Sequence, residues 1–361
     1  MVHLAAEVDQ FETGADSPVS GNLILHWASF EIQLVLERLN HLVIGNDRVP
    51  MGVSLLGSVA RAILTSHIRG RTRLTVFLSR RLRSLQFLPM RLHSGDTIYL
   101  DLRLVSTHSL LCNLEYEPHE QALMRRIVLP GDVAFDVGAH IGVHTLLLAK
   151  LVAPKGRVVA FEPNPFLLPL LRRSADKLAG TSVLPFALSD CTGESEIFIP
   201  ADPSMASLAD WTKEHGGQSQ RVSCRLSTLD DLVKSSSVPR PDFIKCDVEG
   251  GELKVFRGAR RLLDSVQAPI LLFEANVNCA RGFGQHLRNA TDFLAALPSP
   301  AYSFFELEAD GTLQHIDSPR SDHANILAVP AARMGRGTGL FSTSSLDVRN
   351  VTALAPEASD Y

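Results

Sequence analysis

Features that would place this chain of 361 residues in a specialised protein class are scarce or missing. Its five cysteines are scattered and never form a C-x-x-C pair, which argues against both a disulfide framework and a thiolate metal site. Apolar runs of about 18 residues, the length that predicts a transmembrane helix, do not occur. The net charge of −4 and the charged fraction of 20% give no indication of nucleic-acid binding. What remains is an ordinary globular protein with reduced thiols.

The start of the chain carries no sign of export. Its first ten residues lack both the basic and the apolar segment of a secretory signal. The most apolar early region, 23–44, is interrupted by charged residues and predicts the amphipathic helix of a soluble protein. We therefore expect a cytoplasmic protein without a transmembrane segment.

The length predicts about two units. We expect a mainly helical N-terminal region of unknown function over residues 1–95, with helical patterning at 22–44 and 53–68. The main domain is predicted over 96–333, where the first strand spans about 97–105. Residues 334–361 are rich in Gly, Ser, Thr and Ala and predict a disordered tail.

Arginines interleaved with leucine and phenylalanine characterise the end of the N-terminal region: Arg69, Arg71, Arg73, Arg80, Arg81, Arg83 and Arg91. Runs of charge usually form the solvated face of a helix, and this is one interpretation. The other is a basic patch that attracts an anionic acceptor, such as a phosphate-bearing sugar carrier, or a membrane surface. Peripheral membrane contact through Arg69–Arg91 therefore stays open.

A strand, a glycine turn and an apolar helix follow one another in the middle of the sequence. The strand is predicted over Val133–Val137, and the helix begins near Val143. Asp136 and Gly138 then lie at the carboxyl end of the strand, where open α/β sheets bind ligands. Gly138 and Gly142 allow the main chain to approach a ligand that a Cβ atom would displace.

The glycine spacing narrows the class of ligand. A dinucleotide-binding turn needs G-x-G-x-x-G, whereas this chain has only Gly138-Ala-His-Ile-Gly142. The pattern D-x-G-x-x-x-G instead resembles the S-adenosylmethionine loop of Rossmann-like methyltransferases. A plain tight turn between strand and helix is the alternative interpretation of the same residues.

Polar residues follow the next two predicted strands. The strand 157–161 leads into Glu162, whose carboxylate can accept hydrogen bonds from both ribose hydroxyls of an adenosine. Asn164 is a candidate for the same site or for the N-cap of the next helix. Asp190 follows the strand 183–188 and is a candidate partner of the adenine amine or an ordinary turn residue.

Three carboxylates surround the end of a later strand: Asp247, Glu249 and Glu252. Lys245 and Asp247 share one face of that strand, and buried charges are costly unless they meet each other or a ligand. Because glycines let the chain turn here into a helix, we expect the three carboxylates to cluster beside the cofactor site. Glu249 has a second interpretation, as an acidic residue favoured by a helix N-terminus.

Taken together, these motifs resemble the FkbM-type S-adenosylmethionine-dependent methyltransferases. The resemblance covers about 115–330 and rests on Asp136-Val-Gly-Ala-His-Ile-Gly142, Phe161-Glu-Pro-Asn164, Ser227-Thr-Leu-Asp-Asp231 and Ile244-Lys-Cys-Asp-Val-Glu-Gly-Gly-Glu252. It implies an α/β fold of the Rossmann-like class I methyltransferase type. Such a fold has a seven-stranded, mostly parallel sheet with helices on both faces and a final antiparallel strand, here within 301–329.

The resemblance also implies the cofactor and the reaction. A hydroxyl oxygen of a sugar, glycan or polyketide-like small molecule would receive the methyl group of S-adenosyl-L-methionine. The residues that would bind this cofactor are Asp136, Gly138, His140, Gly142, Glu162, Asn164 and Asp190. His140 departs from the asparagine expected after Gly-Ala, which leaves its contact with the methionine moiety open.

Carboxylates are the candidates for the catalytic group. To orient or deprotonate the acceptor hydroxyl we expect Asp247 first, Glu249 second and Glu274, at the end of the strand 270–274, third. Asp247 and Glu274 could hold Mg²⁺, because carboxylates suit that ion, but we expect a metal-free site.

Two other functions fit parts of the sequence. A nicotinamide-dependent sugar-modifying enzyme would also use a Rossmann-like unit, but it should show the third glycine. A non-catalytic, methyltransferase-like binding protein would bind no nucleotide, so replacing Gly138 by a bulky residue should impair only an enzyme. The sequence leaves open the acceptor, the role of Tyr116-Glu117-Pro118 and the oligomeric state.

Overall fold

The structure is a computed structural model that describes residues 55–92, 95–113, 116–212, 217–336 and 345–347. Its strands are β1 Leu88–Arg91, β2 Thr97–Leu100, β3 Val133–Val137, β4 Arg157–Phe161, β5 Thr181–Leu184, β6 Ala187–Leu188, β7 Gly193–Ile199, β8 Gln220–Ser227, β9 Phe243–Cys246, β10 Ile270–Asn276, β11 Tyr302–Leu307, β12 Thr312–Ile316, β13 His323–Pro330 and β14 Ser345–Asp347. A nine-stranded sheet has the order β14-β12-β11-β13-β10-β9-β3-β4-β5. Of two smaller sheets, one pairs β1 with β2, and the other has the strand order β6-β8-β7.

Helices cover both faces of the large sheet. The helices of the described residues are Leu55–Thr65, Arg71–Arg81, Ser106–Asn113, Pro118–Ile127, Val143–Val152, Leu168–Ala175, Leu229–Lys234, Glu252–Gly258, Arg260–Leu263, Val277–Gly282 and Asn289–Ala295. Side chains alternate along β9, so Phe243 joins the apolar layer of Leu148, whereas Ile244 joins that of Phe256. Burial on both faces explains why the residues of β3 and β9 are apolar apart from Asp136 and Lys245.

Five neighbouring strands of the large sheet, β10, β9, β3, β4 and β5, are parallel. Their carboxyl ends therefore meet at one edge, which we call the carboxyl edge. The strand β13 runs antiparallel between β10 and β11, which confirms the expected class I methyltransferase architecture. The sheet exceeds the expected seven strands because β12 pairs with β11 and β14 pairs with β12.

The N-terminal part packs directly on the cofactor-side helices. Apolar side chains of β1 and β2, among them Met90 and Ile98, share one cluster with Val143 and Leu170. The backbone N–H of Tyr99 donates to Ser174 Oγ at 3.1 Å. The hairpin of β1 and β2 spans the proposed boundary between residues 95 and 96, so one apolar core crosses that boundary. The division into 1–95, 96–333 and 334–361 stays a prediction.

Two predicted strands differ from the structure. The strand expected over 97–105 ends at Leu100, because the Asp101 carboxylate accepts the N–H of Arg103 at 2.9 Å and turns the chain. The strand expected over 183–188 divides into β5 and β6. Pro185 lies between them and has no N–H to continue a ladder, so Ala187–Leu188 pairs with β8 instead.

Some predictions concern residues outside the described ranges. The helix expected over 22–44 lies there entirely, whereas that expected over 53–68 corresponds to Leu55–Thr65. Of the predicted disordered tail, the structure describes 334–336 and 345–347, and the second piece forms the edge strand β14. Among the described residues, no helix has the length and hydropathy needed to cross a bilayer.

Candidate functional site

The glycine turn connects β3 to the helix Val143–Val152 at the carboxyl edge. Gly138, His140 and Gly142 all have left-handed backbones, with φ of 82°, 53° and 99°. A Cβ atom on Gly138 would lie 1.7 Å from the main-chain oxygen of Asp247, and one on Gly142 would lie 2.8 Å from Leu171 Cδ1. The close approach of the Asp247 main chain therefore requires glycine at 138 whether or not a ligand binds there.

Glu162 ties the end of β4 to the glycine turn. One carboxylate oxygen accepts the N–H of His140 at 2.8 Å, and the other accepts the N–H of Asn164 at 2.8 Å. Burial raises the pKa of Glu162 to about 7, against the two backbone hydrogen bonds that lower it. Each oxygen keeps a free acceptor position, because a carboxylate oxygen can accept two hydrogen bonds.

Asn164 begins the turn before the helix Leu168–Ala175, but the N-cap of that helix is Leu167, so the N-cap interpretation of Asn164 was wrong. Its side-chain oxygen accepts the N–H of Phe166 at 3.0 Å, while its amide donates to the carbonyl of Pro203 at 2.9 Å. The helix starts only at Leu168, because Pro169 removes an early hydrogen bond. Asn164 is fully buried and connects the turn to the segment 200–212.

Two buried polar atoms beside the turn have no hydrogen-bond partner among the described residues. Asp136 uses one oxygen to accept from Thr145 Oγ1 at 2.6 Å, but its Oδ1 is unpartnered. His140 Nε2 is also unpartnered, and burial lowers the pKa of this imidazole to about 4, so the ring is neutral at pH 7. Unpartnered buried polar atoms are rare and indicate a missing partner.

Lys245 is a buried cation in the centre of the carboxyl edge. Its ammonium lies 2.9 Å from Asp247 Oδ2, and in the sheet Lys245 is the neighbour of Asp136. Burial lowers its pKa, but the carboxylates of Asp247, Glu117 and Asp136 outweigh that effect, so the pKa is raised well above its ordinary value. Lys245 is therefore charged and partly neutralises an acidic cluster.

Three carboxyl groups meet at this edge. Oxygens of Asp247, Glu249 and Glu274 lie within 4.8 Å of one another, and all three residues are partly buried. The expected cluster differs in its third member, because Glu252 turns to the backbone and accepts from the N–H of Val248 at 3.0 Å. Glu274 takes that place from the end of β10. We call Asp247, Glu249 and Glu274 the carboxyl cluster.

The three members of the carboxyl cluster differ in charge. Burial raises the pKa of Asp247, but Lys245 outweighs this, and the net pKa is lowered. Burial and the nearby carboxyl groups raise the pKa of Glu249 well above its ordinary value, and that of Glu274 is raised for the same reasons. The lowered pKa of Asp247 favours its ionised form, whereas the raised pKa of Glu249 favours its protonated form.

The segment 200–212 crosses the mouth of the site. At one end the Pro203 carbonyl accepts from Asn164, as described above. At the other, Ser207 Oγ donates to the main-chain oxygen of Glu249 at 2.8 Å. The carboxyl group of Glu249 also receives a hydrogen bond from Cys279 Sγ at 3.3 Å. The segment therefore joins the cofactor side to the carboxyl cluster.

Asp190 lies apart from the other candidate residues. It follows the short strand β6, accepts from Ser189 Oγ at 3.1 Å and lies 3.8 Å from Lys254 Nζ. The remaining candidates, from Asp136 to Glu274, are connected by the contacts given above. A role of Asp190 at the adenine stays a prediction.

Sequence reasoning missed four polar side chains of the site. Glu117 lies 3.3 Å from His144 Nε2, and the ring of His144 lies 5.6 Å from that of Tyr116. Burial raises the pKa of Glu117 to about 7. His323 lies 2.5 Å from Glu274 Oε1, which raises the pKa of this histidine. Only the left-handed backbone of Glu117 before Pro118 had a sequence signal, namely the Tyr-Glu-Pro turn.

The residues present fit S-adenosylmethionine. Glu162 offers free acceptor positions to ribose hydroxyls, and Asp136 Oδ1 is a buried acceptor without a partner. The glycine turn gives main-chain atoms that side chains do not cover. Among the described residues, the turn carries no third glycine that a dinucleotide pyrophosphate would need.

Comparisons with known proteins indicate similarity to methyltransferases. Residues 136–299 match the family model described as the methyltransferase FkbM domain. The chain is 36% identical over 148 residues to the hexuronic acid methyltransferase AglP of Haloferax volcanii, a match that covers 41% of this chain and 58% of the relative. It is 28% identical over 152 residues to the methyltransferase sdnD of Sordaria araneosa, covering 34% and 58%. The chain thus matches a little over half the length of these relatives.

Solved structures give only a distant likeness. An S-adenosylmethionine-dependent O-methyltransferase of Thermotoga maritima is 13% identical with a TM-score of 0.33, and the match covers 66% of this chain and 76% of that one. A precorrin-6y C5,15-methyltransferase of Geobacter metallireducens is 13% identical with a TM-score of 0.32, covering 59% and 86%.

Proposed function

We propose that the chain, whose residues 136–299 match the methyltransferase FkbM domain, uses S-adenosyl-L-methionine to methylate a hydroxyl oxygen of a sugar, glycan or polyketide-like small molecule. The observation that supports the hydroxyl acceptor is the carboxyl cluster. It combines one ionised carboxylate, Asp247, with two neighbouring carboxyl groups of raised pKa at the carboxyl edge.

The cofactor side of the site is formed by the residues around the glycine turn. Glu162 would accept hydrogen bonds from ribose hydroxyls with the acceptor positions that its backbone partners leave free. Asp136 and the main chain of Gly138 would hold the amino-acid end, and the neutral ring of His140 lies beside them. When bound, the cofactor supplies a methyl group made electrophilic by a sulfonium.

Asp247 is the residue that we assign to the acceptor hydroxyl. Its carboxylate accepts the hydroxyl hydrogen, which aligns the oxygen and removes its proton as the new carbon–oxygen bond forms and the sulfur–carbon bond breaks. Alignment supplies much of the rate, since well-oriented reactants gain roughly 7–11 kcal/mol at best. Lys245 keeps Asp247 ionised through their contact of 2.9 Å.

Glu249 and Glu274 have a different role in this proposal. The raised pKa of Glu249 favours the protonated carboxyl group, which can donate a hydrogen bond to a neighbouring sugar hydroxyl. Glu274 is held by His323 and completes a polar surface for the acceptor. A neutral, hydroxyl-rich acceptor fits this surface better than an acidic group, because Asp247 would repel a second anion.

A relative suggests where to look for the acceptor. The matched protein of Haloferax volcanii is named as a hexuronic acid methyltransferase, so an acceptor screen should include hexuronic acids and their glycosides beside the neutral sugars that the carboxyl cluster favours. Such a molecule offers both hydroxyl and carboxylate oxygens. The two outcomes, a methyl ether or a methyl ester, are chemically distinct.

The proposal can be tested with purified protein, labelled S-adenosylmethionine and a panel of neutral sugars, methyl glycosides and hexuronosides. We expect a mass gain of one methyl group on an acceptor, and a product stable to mild alkali, because an ether resists alkali and an ester does not. An alkali-labile product, or methyl transfer only to nitrogen or carbon, would contradict the hydroxyl assignment.

A variant of the assigned residue completes the test. Asp247→Asn should bind the cofactor with unchanged affinity and lower kcat by about 10²–10⁴, the usual contribution of a general base. Asp322→Asn, which replaces an exposed acidic residue near the site, is the matched control and should keep its activity. Full activity in Asp247→Asn would remove Asp247 from the proposed role.

A further inference from the structure

Basic charge is concentrated at one end of the described chain. Between residues 55 and 95 the sequence has eight arginines but no lysine, aspartate or glutamate, although the whole chain has a net charge of −4. Seven of these arginines, all except Arg83, have described side chains, and within the described residues no carboxylate forms an ion pair with any of them. Charge of one sign without a neighbouring counter-charge creates a positive surface potential that attracts anionic partners.

The helix Arg71–Arg81 buries polar side chains and exposes an apolar one. Its buried residues are Thr75 and Ser79, whose hydroxyls donate to main-chain oxygens four residues earlier, at 3.0 and 2.6 Å. Phe77 is instead 48% exposed, and Leu82, the next residue after the helix, is 44% exposed. A helix of a soluble domain normally buries such apolar side chains.

Arginines surround the exposed phenylalanine. One face of the helix carries Arg73, Phe77, Arg80 and Arg81, because the successive spacings between them are four, three and one residues. The guanidinium of Arg81 lies 4.3 Å from the centre of the Phe77 ring. We call Arg73, Phe77, Arg80, Arg81 and the adjacent Leu82 the basic-apolar face.

We propose that the basic-apolar face binds the surface of a lipid membrane that contains anionic headgroups. Exposed aromatic and aliphatic side chains enter the boundary between headgroups and acyl chains, while arginines beside them bind lipid phosphates. An isolated solvated helix face would require the arginines but not Phe77 and Leu82. Arginine stems lie along apolar surface while their heads reach phosphate, which suits this arrangement.

Lipid is favoured over nucleic acid by the side chains between the arginines. Leu82 offers no ring for base stacking, and Phe77 already carries Arg81 on its ring. Single-stranded nucleic acids bind on aromatic platforms open to the bases. A membrane surface needs only apolar bulk and positive charge on one face, and the basic-apolar face supplies both.

The proposal is independent of the acceptor and is tested by vesicle sedimentation of the full chain. Vesicles of mixed phosphatidylglycerol and phosphatidylcholine should sediment the protein at low salt, whereas pure phosphatidylcholine should not. Salt near 1 M should release it, since the screening length falls to about 3 Å. The double variant Arg80→Gln/Arg81→Gln should bind about 30-fold more weakly, at about 1 kcal/mol for each arginine. Phe77→Ser should also weaken binding.

Matched variants separate this surface from general charge. Arg221→Gln/Arg225→Gln removes the same charge from exposed positions of β8, and Val266→Ser removes an apolar side chain that is 67% exposed elsewhere. Both should sediment like the unmodified protein. The proposal is overturned if no vesicle binds at low salt, if both double variants weaken binding equally, or if Arg80→Gln/Arg81→Gln affects binding of a labelled RNA but not of vesicles.

Discussion

The ammonium of Lys245 lies 2.9 Å from a carboxylate oxygen of Asp247, and both side chains come from the same short strand end of the sheet. The pair is buried on the lysine side, where Lys245 is 6% exposed, and opens toward the carboxyl cluster at Asp247. An ion pair of this kind fixes the protonation of the carboxylate as well as its direction. In the proposed function, Lys245 is a positioning residue that acts through Asp247.

Removing the cation should destabilise the fold. In Lys245→Met, the carboxylates of Asp247, Asp136 and Glu117 lose their shared counter-charge, and breaking a buried ion pair costs about 3–5 kcal/mol. Urea unfolding should show a loss of that order in the free energy of unfolding. Lys234→Met, at an exposed position, should change it little. Equal stabilities of the two variants would show that the buried lysine is not needed for the fold.

Stability should fall as the pH rises from about 4.3 towards about 8, between the pKa of an unfolded glutamate and the raised pKa values of two buried glutamates. Burial raises the pKa of Glu162 to about 7 and that of Glu252 to about 8, whereas unfolded glutamate titrates near pH 4.3. The folded state therefore holds more protons than the unfolded state, and deprotonation favours unfolding. The buried imidazole of His140, with its pKa lowered to about 4, acts in the opposite sense only below about pH 6.5.

Urea unfolding at about pH 6.5 and about pH 8.5 checks this prediction. The free energy of unfolding should drop by about 2 kcal/mol from Glu252 alone, since each pKa unit is worth about 1.4 kcal/mol. Glu252→Gln has no such group and should flatten the dependence. A stability that rises over this range would contradict the raised pKa values.

The carboxylate of Glu162 should control cofactor affinity. Glu162→Gln replaces one of the two acceptor oxygens, so a backbone N–H and a ribose hydroxyl lose a charged partner. A hydrogen bond to a charged group is worth about 1.5–3 kcal/mol, which corresponds to a loss of about tenfold or more in affinity. Calorimetric titration with S-adenosylmethionine measures it, and NAD(H) should give no signal. The exposed Glu194→Gln is the control, and unchanged affinity in Glu162→Gln would exclude the ribose contact.

Catalysis should survive removal of metal ions. The carboxyl cluster could geometrically hold a divalent cation, but Lys245 already neutralises Asp247, and the raised pKa of Glu249 favours its uncharged form. Protein dialysed against a chelator should keep its methyl-transfer rate and its melting temperature. A loss of activity that Mg²⁺ restores would make the cluster a metal site, contrary to the sequence-based expectation.

The parts of the fold that the sequence predicted are those with local signals. The apolar run 133–137 and the glycines after it specify a strand and a turn, and the structure has both. The resemblance implied a mostly parallel sheet with a final antiparallel strand, and the structure has β13 antiparallel between β10 and β11. Local chemistry at Asp101 and Pro185 explains the two strands that were predicted too long.

The site was predicted where side chains follow strands and missed where they come from distant segments. Glu162 and Asp247 each end a parallel strand, so the sheet brings them to one edge. Glu117 and His323 reach that edge from a turn before the sheet and from the antiparallel strand β13. Their approach depends on tertiary packing, which no spacing in the sequence encodes.

A glycine at position 138 in related sequences indicates a packing requirement of the fold rather than cofactor binding. A Cβ atom there would lie 1.7 Å from the main-chain oxygen of Asp247, so the backbone of the protein excludes every other residue. A descendant that no longer transfers methyl groups would keep this glycine to remain folded, and a bulky substitution at 138 could not tell an enzyme from a binding protein. In such a lineage, loss of activity should be visible first as substitutions at Glu162 and Asp247. The backbone does not restrict which side chains these positions carry.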